Sequence, residues 1–362
     1  AGPGVTARQA LQLGLKVDLG ALPKILVEAI KGRSVDLDRG ETTLELLRAD
    51  AVVGVTGFFD KSTKRMTAIG IQCALCHSTV DDSLAKGIGR RLDGWPNRDL
   101  DIGKIVASAP TLKPFADLLG ADEATVRRVL LSWGPGRYDA ELGHDGKATR
   151  PDGKTAATVL PAAFGLAGVN LHTYSGWGSV SHWNAYVATT QMHGKGTFYD
   201  PRMNDPQRFP LAVKSGAWNK RDTPDLVTPK LGALHYYQLS IPAPTPPADS
   251  FDSRAAERGQ TVFGGRARCA TCHVPPLYTE PGWPMHTAQE IGIDAFHASR
   301  SPDQKFYRTT PLKGLFVRAK GGFYHDGRFE TYEAVVAHYN RAHELGLSAA
   351  ETADLVEFLK SL

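Results

Sequence analysis

The chain has 362 residues, enough for two domains with cores of their own. Its 42 Lys+Arg stand against 38 Asp+Glu, a net charge of +4, which excludes the basic field of a nucleic-acid binder. No apolar run approaches the roughly 20 residues of a membrane span, so none is expected.

The opening Ala1-Gly2-Pro3-Gly4 carries no leader pattern, as in a mature or trimmed chain. Residues 1–70 read as helical. Stretches 21–31 and 42–59 place apolar residues at i+3/i+4 spacing, strand-like alternation is scarce, and both are expected to be core helices.

Next comes Cys73-Ala74-Leu75-Cys76-His77, and the pattern returns at Cys269-Ala270-Thr271-Cys272-His273. Cys-x-x-Cys-His is the attachment signature of c-type haem. Two thiols on one turn reach the two vinyl groups of a porphyrin, and the adjoining histidine lies under the iron as its proximal ligand. A thioredoxin-like pair needs no such histidine, and a zinc site built from both pairs would leave both histidines unexplained. The two copies use all four cysteines, so no disulfide is expected and two covalent haem c groups are. Haem c is attached after export, which points to the periplasm or the outside of a bacterial cell. A pI near 8.8 is compatible with an acidic redox partner.

Between the motifs, residues 87–99 form a polar loop in which Arg90, Arg91 and Arg98 could pair bidentately with haem carboxylates. A short helix is expected over 121–132, then a surface loop over the Gly-, Asp- and Lys-rich residues 134–156. Residues 161–205 gather His172, His182 and His193, with His144 just upstream, among Tyr174, Trp177, Trp183, Tyr186, Phe198 and Tyr199. Aromatics at this density pack a core or wall a porphyrin. Residues 241–249, IPAPTPPAD, are an extended linker, giving domains at 1–240 and 251–362 joined through 241–250. In the second domain Asp252 or Ser253 caps a helix that leads into Cys269. Ser348 and Glu351 form a capping box that opens a helix over 348–361. One helix before the cysteines with another packed across it is the plan of a small cytochrome c. The expected fold is mainly α: two cytochrome c-like domains, each with one covalent haem, and long loops in the first.

Residues 306–340 carry Phe306-Tyr307-Arg308-Thr309-Thr310-Pro311-Leu312, then Tyr324-His325-Asp326-Gly327-Arg328-Phe329, then Glu333-Ala334-Val335-Val336-Ala337-His338-Tyr339-Asn340. With the two haem motifs, this resembles the bacterial di-haem cytochrome c peroxidase and MauG superfamily, well in the C-terminal third and in outline before it. The haem histidines lie 196 residues apart (273 − 77), a spacing similar to that of the much longer di-haem rubber oxygenases.

The resemblance implies facing haem domains with a tryptophan between them and one Ca2+ near their interface. Electrons enter at the C-terminal haem, and the oxidant binds at the N-terminal one. It places a sixth ligand to the C-terminal iron at His338 or Tyr339. His338 is favoured, because a neutral imidazole is the commoner ligand of low-spin haem. The rival Met285 lies only 12 residues past His273 (285 − 273). Trp183 best matches the inter-haem tryptophan, with Trp177 and Trp133 as alternatives, and Asn97, Thr309 and Pro311 match the calcium ligands. One departure stands out. The peroxidases carry a distal glutamate after Asn-Pro, whereas Asp200-Pro201-Arg202-Met203 puts Met203 there. Acid–base groups contribute on the order of 10²–10⁴-fold, so His182, His193 or Asp200 would have to substitute; otherwise Phe198 walls an apolar O2 site.

Three functions follow. The first is a peroxidase-type enzyme reducing hydrogen peroxide at the N-terminal haem with electrons entering through the C-terminal one. The second is an O2-activating oxygenase acting on an apolar substrate at the same haem. The third is a non-enzymatic di-haem electron carrier. The implied partners are a small redox protein or quinone-linked donor and peroxide or O2, and a homodimer is compatible with the reading.

Overall fold

The computed structural model describes residues 5–303 and 306–362; Ala1–Gly4, and with them the reading of the N-terminus, lie outside the described residues. Helices account for 38 % of the chain. Among the described residues, strands occur only in two-stranded ribbons, so the mainly α expectation holds. No helix among the described residues is long and apolar enough to cross a membrane. Contacts divide the chain into two units. The first comprises 1–112, 124–138 and 160–163; the second comprises 113–123, 139–159 and 164–362 and includes the proline-rich 241–250.

In the first unit, helix α1 (Ala7–Gln12) opens on a capping box in which Thr6 accepts from Gln9 N and the Gln9 side chain accepts from Thr6 N. Helices α2 (Lys24–Lys31) and α3 (Gly40–Arg48) follow. Leu22, Leu46, Leu47, Val52, Val55 and Ile88 form the core here, and Leu75 packs against it.

The helix expected over 42–59 stops at Arg48. Asp50 turns to φ +52°, and strand β1 (Val55–Phe59) pairs antiparallel with β2 (Met66–Ile71). The β-branched and aromatic residues Val52, Val53, Val55, Thr56, Phe58 and Phe59 fit a pleated surface better than a helix, and that preference overrides their spacing. Gly54, at the start of this hairpin, has φ +74°; a Cβ on it would lie 2.0 Å from Leu75 N. Only glycine lets the hairpin approach the first cysteine turn so closely. Helix α4 (Ala74–His77) is that turn, and α5 (Ile102–Ala107) and α6 (Glu123–Trp133) come after it.

In the second unit the surface loop expected over 134–156 is instead partly core. It holds the one-turn helix α7 (Leu142–Asp145), and Asp139, Glu141, Leu142, His144 and Asp145 are all buried. The cause is Arg300, only 1 % exposed, which draws the acidic residues inward. Its Nη2 lies 2.9 Å from Asp139 Oδ1 and its Nε 2.8 Å from Asp145 Oδ2. Helix α8 (Val180–Thr190) is capped by Ser179, whose hydroxyl accepts from His182 N. Strand β3 (Thr197–Tyr199) pairs with β4 (Asn219–Arg221), and α9 (Pro210–Ser215) lies between them in sequence. Helix α10 (Thr228–Ser240) leads to the proline-rich stretch.

Helix α11 (Ser253–Gly264) is capped by Asp252, which accepts from Ala255 N at 3.0 Å. Helices α12 (Tyr332–Ala342) and α13 (Ala349–Lys360) close the unit, the latter with the expected Ser348–Glu351 capping box. Helix α13 crosses α11 at Gly259, where a Cβ would sit 2.0 Å from Asp354 O. Phe263 and Phe358 meet edge to face at 5.1 Å, and Arg258 pairs with Asp354 at 2.6 Å. The sequence predicted this crossing. Leu315, Phe323, Val336, Leu355, Val356 and Leu359 complete the core around it.

Candidate functional site

The first attachment turn is held from three sides within its unit. Gln72 N donates to Gly54 O at 2.9 Å, and Asn97 N donates to Cys76 O at 2.9 Å. The buried Asn97 amide also donates to Gly14 O at 2.9 Å and to Leu75 O at 3.3 Å. His77 Nδ1 lies 3.1 Å from Pro161 O. A neutral ring donating from Nδ1 to a carbonyl keeps its Nε2 lone pair free, the tautomer a metal needs. Burial holds His77 below its ordinary range, so the ring is neutral at physiological pH. Burial and the neighbouring Cys73 push the Cys76 thiol up to about 12, and Cys73 is raised by burial.

The second turn repeats the device. Cys269–Thr271 forms a 3-10 turn, and His273 Nδ1 lies 3.2 Å from Tyr278 O. Burial pushes His273 down to about 4 and Cys269 up to about 11. Each turn therefore presents two protonated thiols and one neutral imidazole whose Nδ1 lies against a backbone carbonyl. Those groups fit haem c.

A further group near the second turn was missed from the sequence, although it sits in the quoted 306–312 segment. Arg308 donates from Nε to Thr173 O at 2.9 Å, while its Nη1 is buried with no hydrogen-bond partner. Burial, then the charge of Arg318, pushes it down to about 9. A buried guanidinium in this condition fits a carboxylate. By contrast, Arg90 is taken by Asp81 at 2.8 Å and Arg91 by Asp93 at 2.6 Å. Cys272, Glu280 and His286 bring one donor atom each within 4.8 Å of one another. Cys272 belongs to the haem motif, so this group is part of the same site.

The residues expected to reach the second iron are arranged differently from one another. His338 on α12 is buried, but its Nε2 donates to Ile291 O at 2.9 Å, and its ring lies 4.7 Å from Phe329. Tyr339 lies on the side of the cysteine turn. Burial raises its phenol, the neighbouring Tyr324 offsets part of that, and Cys269 and Cys272 are among the groups acting on it. Met285 packs its sulfur against Gly176, 2.7 Å from where a Cβ would lie. Of the expected calcium ligands, Asn97 belongs to the first unit, and its Oδ1 accepts from Asp99 N at 3.3 Å. Thr309 and Pro311 belong to the second, where the Thr309 hydroxyl donates to Glu280 and Pro311 O accepts from Arg318 at 2.7 Å.

Most of the expected catalytic residues form one aromatic cluster inside the second unit. Trp177, Tyr186, Phe198, Met203 and Phe209 are buried together with Trp183 packed on them. Trp177 and Trp183 lie 4.5 Å apart. His182 is 5.2 Å from both Trp177 and Phe198. His182 Nε2 is 3.6 Å from Asp200 Oδ2, and Arg202 grips that carboxylate at 2.7 Å. Burial lowers His182, while Asp200 works against the shift. His193 stands outside the cluster, exposed and at φ +55°. The pair formed by the Tyr186 hydroxyl and His144 Nε2 was not foreseen. Tyr186 belongs to the aromatic-rich stretch and His144 lies upstream of it; 42 residues separate them, and no local pattern links them.

No protein-family model matches the chain. It is similar to the methylamine utilization protein MauG of Methylorubrum extorquens, 29 % identical over 122 residues, 30 % of this chain and 34 % of that protein. It is similar also to the cytochrome-c peroxidase IdrP2 of Pseudomonas sp. (strain SCT), 26 % identical over 209 residues, 45 % of this chain and 56 % of that protein. The chain thus spans about a third and about half of these curated relatives. Among solved structures, hydrazine synthase of Kuenenia stuttgartiensis under xenon pressure shares 18 % identity, covering 71 % of this chain and 94 % of that chain at a TM-score of 0.33. A MauG-like protein associated with microbial copper homeostasis shares 18 % identity, covering 62 % and 80 % at a TM-score of 0.33.

Proposed function

We propose, from the membership of this chain in the di-haem cytochrome c peroxidase and MauG superfamily at low identity, that it is a periplasmic two-haem oxidoreductase of peroxidase type. It reduces hydrogen peroxide at the haem held by Cys73, Cys76 and His77. Electrons from a small redox protein or quinone-linked donor enter through the haem held by Cys269, Cys272 and His273. The observation that carries this reading is the repeated device: a cysteine pair on one turn, and a histidine whose Nδ1 is anchored to a carbonyl at 3.1 Å in one case and 3.2 Å in the other. Haem c bound there supplies a one-electron iron couple and a coordination position for peroxide.

The surrounding residues take the remaining roles. His77 and His273 offer Nε2 to iron, and Arg308 neutralises a haem carboxylate. Tyr339, rather than His338, is the better candidate to face the second iron, because His338 has committed its Nε2 to Ile291. Within the second unit, His182 and Asp200 form an acid–base pair beside Met203, the residue that stands in place of the glutamate.

The test counts haems by pyridine haemochrome, records low-temperature EPR of the oxidised protein, and follows peroxide consumption with a reduced cytochrome as donor. Two haems, one high-spin signal beside one low-spin signal, and peroxide turnover are expected. Two low-spin signals without turnover would leave the electron-carrier reading instead. His77→Ala and His273→Ala should each remove a different spectral component; loss of both in either variant would refute two separate sites.

A further inference from the structure

The peroxidase reading leaves unused a pair at the centre of the aromatic cluster. Tyr186 is 1 % exposed and His144 is 3 % exposed. The Tyr186 hydroxyl is hydrogen-bonded to His144 Nε2 and lies 3.2 Å from Ala140 O. Gln191 Nε2 donates to the same hydroxyl oxygen at 3.0 Å, so the tyrosine proton is turned toward His144 or Ala140. Around the tyrosine ring stand Phe198 at 5.2 Å, Trp183 at 5.7 Å and Trp177 at 5.9 Å.

The three oxidisable rings differ in one respect that matters. The indole N–H groups of Trp177 and Trp183 are buried with no hydrogen-bond partner, whereas the Tyr186 hydroxyl has an imidazole nitrogen beside it. A phenol or indole that loses an electron becomes a strong acid. In a buried, largely apolar site the electron leaves readily only where the proton has a neutral base to go to. Trp177 and Trp183 offer a path for charge, and Tyr186 offers a resting place. Burial and Arg300 push His144 down to about 3, so its ring is neutral and free to accept, and Asp200 favours the imidazolium once formed.

We propose that Tyr186 and His144 form a one-electron store within the protein. Tyr186 gives one electron to an oxidising equivalent derived from hydrogen peroxide, and its hydroxyl proton moves to His144 Nε2. A neutral phenoxyl radical and an imidazolium remain; one electron from the donor and return of the proton restore the pair. The store rests on the peroxidase reading for its natural oxidant, and its chemistry can be driven without it.

The holoprotein is therefore oxidised in two ways, by hydrogen peroxide and by flash-generated tris(bipyridine)ruthenium(III), and freeze-quenched for EPR while peroxide consumption is followed in parallel. Both oxidants should give an organic radical whose signal narrows with ring-deuterated tyrosine and not with ring-deuterated tryptophan. The signal should vanish in Tyr186→Phe, survive in Tyr199→Phe, and decay many-fold faster in His144→Phe. A signal that persists in Tyr186→Phe, that narrows with labelled tryptophan, or that never appears overturns the store. Should Tyr186→Phe not fold, the isotope result in the natural chain decides alone. Peroxide consumed without a tyrosyl signal sinks the store and leaves the peroxidase reading standing; a tyrosyl signal from ruthenium alone, with no peroxide consumed, does the reverse.

Discussion

Replacing His297 with phenylalanine should flatten the acid limb of the stability curve. His297 is buried, with its ring stacked on His325 at 4.9 Å. Its Nδ1 has no hydrogen-bond partner, so phenylalanine forfeits none there. Burial, reinforced by Arg300 and Arg150 and opposed by Asp326 and Asp294, pushes it from 6.5 down to about 3. The folded chain thus keeps the ring neutral while the unfolded chain protonates it. A depressed folded value means stability that is complete above about pH 6.5 and is lost as pH falls toward 3, by ~1.4 kcal/mol per unit. Between about pH 7 and pH 4.5 the histidine alone should cost the native chain ~2.5 kcal/mol that His297→Phe does not lose. Urea midpoints of the holoprotein at the two pH values measure the difference. Natural and variant chains with parallel pH dependence would refute the account.

Gly259→Ala should destabilise the second unit, because its Cβ would press on Asp354 O. Overpacking of roughly 1–3 kcal/mol outweighs the ~1 kcal/mol gained in helix propensity. Gly264→Ala on the same helix meets nothing within 4 Å and should be neutral or slightly stabilising; denaturant midpoints that move together would remove the contact as the cause. Arg300→Met should cost about 3–5 kcal/mol by stranding Asp139 and Asp145, with part restored by adding Asp145→Asn. Thermal unfolding of the two variants tests it, and no restoration would contradict the charge argument. Asn97→Ala, which removes donors to Gly14 and Leu75, should lower haem incorporation at the first turn, read as a haemochrome count per chain, while leaving the second turn filled.

What could be read from the sequence was what repeats or follows a local rule. The two cysteine motifs, the Ser348–Glu351 box and the helix leading into Cys269 are patterns of a few residues, and each has its structural counterpart. The hairpin at 55–71 was hidden because its apolar residues also satisfy helical spacing, and only the run of β-branched and aromatic types separates the two readings. The acidic segment 139–145 looked like solvent-facing loop because its counter-charge, Arg300, lies 155 residues from Asp145. His338 and Tyr339 are adjacent in sequence and on different faces of one helix. Which of them meets Ile291 and which faces the cysteine turn depends on the angle at which α12 packs, and no local pattern encodes that angle.

The meeting of α11 and α13 also governs when the second unit can fold. Gly259 and Asp354 touch across 95 residues of chain (354 − 259). Closing so long a loop costs conformational entropy, which contacts such as Phe263 on Phe358 repay. A chain emerging N-terminus first therefore carries α11 without its crossing partner until Ala349–Lys360 has followed it out. During that interval the face of α11 that carries Gly259 and Phe263 lacks its partner, so this core waits on the most distant of its elements.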